Sequence, residues 1–110
     1  HCLACQRQTG SAFGVNCYFN RANVIETGGK YTVWRRQANE GRSIAYRFCT
    51  ICGSTVFWEA DIFPDRVGVA LGCFADPDFH RPHRAGWIQN KHSWVILPDD
   101  MPQNEGRPGR

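Results

Sequence analysis

Alternating apolar and polar residues recur along this chain and predict several short β-strands. Apolar side chains occupy every second position in residues 13–19, 44–48 and 67–73, which is the period of a half-buried strand. Residues 31–35 and 55–59 are rich in aromatic and β-branched side chains, which favour strands as well. Because no stretch keeps a helical spacing of apolar residues for three turns, we expect a nearly all-β fold.

Turn-forming residues indicate how these strands connect. The Gly28-Gly29 pair predicts a hairpin between a strand at Val24 and Ile25 and the strand at residues 31–35. Residues 37–42 are polar and predict a loop, and Pro64-Asp65 predicts another turn.

The chain changes character near residue 97. Residues 98–110 are polar and contain proline and glycine, so we expect a single domain over residues 1–97 and a polar C-terminal tail that runs over the surface or is disordered. The sequence opens at His1 without a methionine, which predicts a processed or truncated start.

Composition and charge exclude some classes of partner. The chain has 110 residues, of which 42% are hydrophobic and 21% are charged, and no apolar run approaches the roughly 20 residues of a membrane-spanning helix. Lys and Arg number 13 against 10 Asp and Glu, giving a net charge of +3, and these residues are scattered. We therefore expect neither nucleic acid nor membrane as a partner.

Cysteine spacing is the most informative chemical feature. Cys2 and Cys5 form one CxxC motif and Cys49 and Cys52 form another. Two thiolates at this spacing grip one tetrahedral ion at about 2.3 Å, and zinc is the usual ion. A disulfide scaffold, an iron-sulfur cluster and a thioredoxin-like pair that opens a helix after a strand fit this spacing less well. Spacing alone therefore predicts one zinc held by all four cysteines.

The two remaining cysteines, Cys17 and Cys73, lie within the alternating segments. Their apolar spacing predicts that both are buried in the core. Reduced metal-binding thiolates also predict a cytoplasmic location, because an oxidising compartment favours disulfides.

Residues 1–13, HCLACQRQTGSAF, closely resemble the CHCxxCRRxTGSAF signature of the glutathione-dependent formaldehyde-activating enzyme family, which includes centromere protein V. Further along, FCTICGS at residues 48–54 matches the family's FCxxCGS. FWE at residues 57–59 and KHSWV at residues 91–95 resemble its later motifs. The resemblance spans nearly the whole chain, and it implies a β-tent fold of antiparallel sheets with zinc knuckles.

The resemblance also implies an activity, that of a zinc-dependent carbon-sulfur lyase. The family's reaction adds glutathione to formaldehyde to give S-hydroxymethylglutathione, and related small thiol adducts are alternative substrates. Cys2 and Cys5 would be ligands of a catalytic zinc with one open position, whereas Cys49 and Cys52 would bind a structural zinc. In the family both shells are completed by cysteines that precede the position of His1, so the resemblance implies two zinc sites where spacing alone predicts one.

Several polar residues are candidates for substrate binding. Arg7 and Lys91 would hold glutathione carboxylates, although solvated surface charge is the plain alternative. Residues 9–11 offer backbone amides and hydroxyls to an anion, or simply turn the chain out of the knuckle; they are Thr9, Gly10 and Ser11. Gln6 stands where the family has an arginine, which removes one cation from the site.

Histidine and tryptophan side chains are weaker candidates. Three histidines could shuttle protons or bind metal, but loop histidines commonly do neither; they are His80, His83 and His92. We expect Trp58, Trp87 and Trp94 to be core or pocket wall.

Two alternatives to the lyase stay open at this point. One is a non-catalytic zinc-binding module that binds a partner. The other is a homo-oligomer in which a second chain completes the sheet at an unpaired edge.

Overall fold

A computed structural model describes residues 1–38 and 41–107 of the chain. The chain divides into two compact units. The first, the sheet unit, is residues 16–76. The second, the knuckle unit, consists of residues 1–15 and the chain from residue 77 onward.

The sheet unit is built on one antiparallel five-stranded sheet. Its strands stand in the order β1-β5-β4-β3-β2, with every pairing antiparallel. They are β1 (Asn16–Asn20), β2 (Tyr31–Gln37), β3 (Ser43–Cys49), β4 (Thr55–Ala60) and β5 (Arg66–Ala70). The expected all-β fold class is confirmed.

An aromatic row crosses one face of this sheet. Trp34, Tyr46, Trp58 and Gly68 are consecutive cross-strand partners on four neighbouring strands. The Trp34 and Tyr46 rings stack with centroids 5.7 Å apart, and those of Tyr46 and Trp58 are 5.8 Å apart. Only 6% of Tyr46 and 8% of Trp58 is exposed, so these two rings form the centre of the sheet unit's core.

Gly68 leaves space for the Trp58 indole at the end of this row. A Cβ atom at this position would lie 2.5 Å from Trp58 Cε2 and closer still to Nε1. The indole therefore occupies the space that a side chain on β5 would need. A glycine is required here for close approach and not for its backbone conformation.

The hairpin expected at Gly28-Gly29 is not formed, and that prediction is wrong. Residues 24–30 contain no strand, and β2 pairs with β3 instead. Ile25 is 83% exposed, so two apolar residues alone bury too little surface to hold a strand there. The polar loop expected at residues 37–42 lies partly outside the described residues.

The segment that ends at Cys73 also departs from expectation. β5 stops at Ala70, whose partner Asn16 is the first residue of β1, so the next residues have no neighbouring strand there and turn into a 3₁₀ helix over Leu71–Phe74. Cys73 is consequently exposed, and its predicted burial is wrong. Cys17, within β1, is half-buried.

The knuckle unit begins with a short helix, α1 (Leu3–Thr9). The first CxxC motif opens this helix, with Cys2 as its N-cap, and no pattern in the sequence predicted a helix there. No helix among the described residues is both long and apolar enough to cross a membrane.

The C-terminal segment pairs with the chain around Ala85. A parallel bridge joins Ala85 to Gln103, and the backbone of residues 102–106 accepts hydrogen bonds from Ala85, Trp87 and Ile88. Met101 is buried to 8% exposure. The segment from residue 98 to 107 thus carries regular backbone contacts, and residues 108–110 of the expected tail lie outside the described part.

Replacing Gly68 should destabilise the sheet unit. In Gly68→Ala the new methyl group displaces the Trp58 indole, and such overpacking costs about 1 to 3 kcal/mol of the free energy of unfolding. Thermal unfolding followed by circular dichroism would measure the loss. Gly72→Ala is the matched control, because a Cβ there meets no atom within 4 Å. Equal stability of the two variants would contradict the packing role of Gly68.

Candidate thiol and metal site

The first pair of cysteines is brought together by the start of helix α1. Cys2 has the extended backbone of an N-cap residue, and its Sγ accepts a hydrogen bond from the backbone N–H of Cys5 at 3.2 Å. The two sulfurs lie 2.9 Å apart. A CxxC spacing on a helix start therefore makes both thiols converge on one point, and both residues are half-buried.

The thiols share a helix face with two polar residues. Positions three, four and seven residues after Cys2 lie on one side of a helix, which places Cys5, Gln6 and Thr9 on the face of Cys2. Arg7 lies two residues from Cys5 and points to another side of α1. Arg7 is exposed. It therefore does not share the helix face of the two thiols, although it follows Cys5 closely in the sequence.

Gln6 is the hydrogen-bonding centre of the knuckle unit. Its Nε2 donates to the backbone carbonyls of His1 at 2.9 Å and Asn90 at 3.0 Å. Its Oε1 lies 2.9 Å from Nε2 of His92. Since the amide nitrogen already faces two carbonyls, the amide oxygen is the acceptor and His92 carries a proton on Nε2.

The sequence does not predict this role of Gln6, because its partners Asn90 and His92 lie 84 and 86 residues away along the chain. The one available signal was the helical spacing of Gln6 from Cys2, which depends on a helix that was not predicted.

Residues 9–11 end the helix. The Thr9 hydroxyl donates to the Cys5 carbonyl at 2.9 Å and accepts from the Ser11 backbone N–H at 3.2 Å. Gly10 has a φ of 63°, the left-handed conformation common after a helix. Of the two interpretations of this segment, the geometry shows a turn out of the knuckle, while the three residues remain exposed.

Lys91 fastens the loop that carries His92. Its ammonium donates to the carbonyls of Val95 at 2.7 Å and His92 at 3.3 Å. An ammonium has three donors, so one is left after these two bonds. The His92 ring also lies 5.8 Å from that of Trp94, which is 68% exposed and is therefore not a core residue.

The side chains of the other histidines make different contacts. His80 packs edge-on against Phe79 at 5.6 Å, and His83 is exposed. The His1 ring is tilted against that of Phe13 with centroids 5.1 Å apart, and its Nδ1 is buried without a hydrogen-bond partner among the described residues.

The second pair of cysteines lies on the turn between β3 and β4. The Gly53 N–H donates to the Cys49 carbonyl at 2.8 Å, and Gly53 has a φ of 76° that lets the turn close. The Cys49 Sγ accepts from the backbone N–H of Ile51 at 3.4 Å. In both CxxC motifs, then, the first sulfur accepts a hydrogen bond from a backbone amide of its own turn.

The thiols outside the first pair have different acidities. Cys52 is exposed, and its hydrogen bond with the Ser54 hydroxyl, at 3.2 Å between Sγ and Oγ, lowers the pKa of the Cys52 thiol. Partial burial raises the pKa of Cys17. The pKa of Cys73 is raised by desolvation of its sulfur and by the charge of Cys52, even though the side chain as a whole is exposed.

The sulfurs of the first cysteine pair are close enough to serve as two ligands of one zinc ion. Zinc-sulfur bonds of about 2.3 Å in a tetrahedral shell separate two sulfurs by roughly 3.8 Å, which small side-chain rotations of Cys2 and Cys5 would reach. Among residues 1–38 and 41–107, no group of three or more His, Cys, Asp or Glu side chains is arranged to hold a metal. If a pair binds zinc, it would supply two of the four ligands of such a shell.

Removing the Ser54 hydroxyl should make Cys52 less reactive. In Ser54→Ala the pKa of Cys52 rises, so its alkylation midpoint moves to higher pH and its rate at neutral pH falls. Mass spectrometry of iodoacetamide-treated, reduced and metal-free protein measures this rate peptide by peptide. Ser93→Ala, an exposed serine in the other unit, is the control. An unchanged Cys52 rate in Ser54→Ala would contradict the assigned cause.

Comparison with known proteins agrees with the motifs at this site. A family described as glutathione-dependent formaldehyde-activating enzyme matches residues 1–90, which include both CxxC motifs and Gln6. Comparison with curated proteins finds no match. Because the family match covers well over half of the chain, the protein belongs to the glutathione-dependent formaldehyde-activating enzyme family.

Proposed function

We propose that this protein is a zinc-dependent carbon-sulfur lyase that forms or cleaves the adduct of formaldehyde with glutathione, or with a related small thiol. The observation that carries the proposal is the convergence of the Cys2 and Cys5 sulfurs at the start of α1, within the region matched by the family. In the forming direction, the thiol sulfur bonds to the formaldehyde carbon, and the thiol proton moves to the former carbonyl oxygen.

Cys2 and Cys5 are the proposed ligands of the catalytic zinc. When bound there, zinc would keep the substrate sulfur in its thiolate form, which is the nucleophilic form. Cys49 and Cys52 are the proposed ligands of a second, structural zinc. Their turn is closed by backbone hydrogen bonds and joins two central strands, a position suited to stabilising the sheet unit.

His92 is the proposed carrier of the thiol proton. Its Nε2–H is held by Gln6, which fixes the ring and leaves the Nδ1 lone pair to accept a proton. Gln6 directly follows Cys5, and it shares the helix face of both thiols. The Gln6 amide therefore couples the position of the ring to the helix that carries the cysteines.

Arg7 and Lys91 are the proposed contacts for substrate carboxylates. Arg7 is exposed, and no carboxylate of the described residues forms an ion pair with it. Lys91 retains one donor after its two bonds to the loop. Thr9, Gly10 and Ser11 are exposed at the C-terminal end of α1, and we propose that they line the approach to the thiols.

A cytoplasmic location is also part of the proposal, because the two thiol pairs must stay reduced to bind metal. The alternative of a non-catalytic zinc module shares the same ligands. Turnover by the purified protein separates the two.

Replacing Cys5 should remove one zinc and the activity. The full-length protein should turn over S-hydroxymethylglutathione, followed by NMR of the adduct's methylene group. Cys5→Ser should lower the rate at least about 100-fold and the zinc content by one ion per chain, as measured by elemental analysis. Cys49→Ser should remove the other zinc independently.

Cys73→Ser is the matched control, because this thiol is exposed and lies outside both pairs. It should keep both zinc ions and full turnover. Loss of one shared zinc in both Cys5→Ser and Cys49→Ser would instead indicate a single four-cysteine site. Inactivity of the zinc-loaded protein on a panel of thiol adducts would contradict the lyase.

Replacing His92 should slow turnover without removing metal. His92→Asn abolishes the proton-accepting ring, and loss of such a group lowers the rate about 100-fold. The zinc content, measured by elemental analysis, should stay unchanged. His83→Asn, another exposed loop histidine, should behave like the unmodified protein. A His92→Asn turnover rate that matches the unmodified one would exclude His92 as the proton carrier.

A further inference from the structure

An arginine-lined cavity lies on the sheet unit, separate from either cysteine pair. Arg35, Ala45 and Glu59 are consecutive cross-strand partners on β2, β3 and β4 and share one face of the sheet. The cavity at this place has a volume of about 390 Å³. Its lining contains four arginines against two carboxylates, an excess of two positive charges.

Both carboxylates of the cavity are already engaged. Glu59 accepts from Arg21 and from Arg47, whose Nη1 is 3.0 Å from Oε1. Asp61 accepts from the backbone N–H of Ser43 at 3.0 Å. The negative groups therefore position the surrounding donors, and the field that remains in the cavity is positive.

The Arg47 guanidinium is held in place by its neighbours, and not all of its N–H donors are used. Its guanidinium lies over Phe57 and Tyr31, 5.2 and 5.9 Å from the ring centroids, and only 17% of the side chain is exposed. Its Nη1 is used by Glu59 and by the Ala45 carbonyl. Its Nε is buried without a hydrogen-bond partner among the described residues. Little conformational entropy is left to lose when an anion binds such a group.

Arg35 adds a second cation across the small Ala45 side chain. It is exposed on β2, and within residues 1–38 and 41–107 no carboxylate forms an ion pair with it. Ala45 lies between Arg35 and Glu59 in the sheet, and its small methyl group leaves space above it. The side chains of Arg35 and Glu59 line that space.

We propose that this cavity is a binding site for a phosphate group. Donors come from three elements, with Arg21 after β1, Arg35 on β2 and Arg47 on β3. A tetrahedral dianion offers oxygens in several directions at once, whereas a carboxylate offers two in one plane. The two excess charges match those of a phosphate dianion. The ligand is inorganic phosphate or a small phosphate monoester, and the site does not depend on the thiol chemistry proposed above.

Titration with sodium phosphate at constant ionic strength tests the site. In ¹H–¹⁵N NMR spectra, the Arg35 and Arg47 Nε–H signals and the amides of β3 and β4 should shift saturably, with a Kd on the order of 1 mM. Added sodium chloride should weaken the binding. Absence of saturable shifts up to about 50 mM phosphate would overturn the proposal.

Two exposed substitutions should move the affinity in opposite directions. Arg35→Gln should weaken phosphate binding about five-fold. Asp61→Asn keeps the acceptor for Ser43 but removes one negative charge, so it should tighten binding about two-fold. Because damage to the fold cannot tighten binding, this pair of opposite effects separates the site from a structural cause. Equal affinity of both variants and the unmodified protein would overturn the proposal.

Matched controls establish the site and the ligand class. Arg81→Gln alters an exposed arginine of the other unit, which pairs with Asp100, and should leave the affinity unchanged. Glycerol 3-phosphate and inorganic phosphate both support the proposal, and the tighter of the two identifies the source. Malonate binding more tightly than either would overturn the phosphate assignment in favour of a dicarboxylate.

Discussion

The indole of Trp58 over Gly68 is the contact on which the sheet unit depends. It fills the position that a β5 side chain would take, and it lets the aromatic row continue from β2 to β5 without a gap. The buried rings of Tyr46 and Trp58 thereby hold β3 and β4 in register. Those strands carry Arg47 and Glu59 on the opposite face, and their connecting turn carries the second cysteine pair. The packing of the aromatic rings on one face of the sheet thus fixes the positions of the charged side chains on the other face.

A single amide has a comparable role in the knuckle unit. Gln6 joins the helix to His1, to Asn90 and to His92 through three hydrogen bonds, all between 2.9 and 3.0 Å. A neutral amide both donates and accepts, whereas an arginine in its place could only donate. Gln6 therefore holds two backbone carbonyls and at the same time accepts from the ring of His92, which fixes the orientation of that ring.

The sequence predicts the fold best where two neighbouring segments both have a strand pattern and also pair with each other in the sheet. Strands β3 and β4 alternate or carry β-branched residues, and they flank a CxxC turn closed by Gly53, so local rules suffice. Helix α1 could not be foreseen because its N-cap is a cysteine, whereas the N-cap rule looks for Ser, Thr, Asp or Asn. Cys73 is exposed because β1 begins at the partner of Ala70 and offers no strand to the residues after it. The alternation of apolar residues does not predict where the neighbouring strand begins. The convergence of Cys2 with Cys5 followed from spacing, but the Gln6 and His92 contact did not.

The pairing of the C-terminal segment with Ala85 makes the end of the chain part of the knuckle unit's fold. The backbone N–H groups of Ala85, Trp87 and Ile88 donate to carbonyls of residues 102–106, and Met101 is one of the few buried side chains among the described residues. A protease that cut after Leu97 would leave those groups to water and uncover an apolar surface. Such a cut would therefore loosen the segment that leads into the loop of Lys91 and His92.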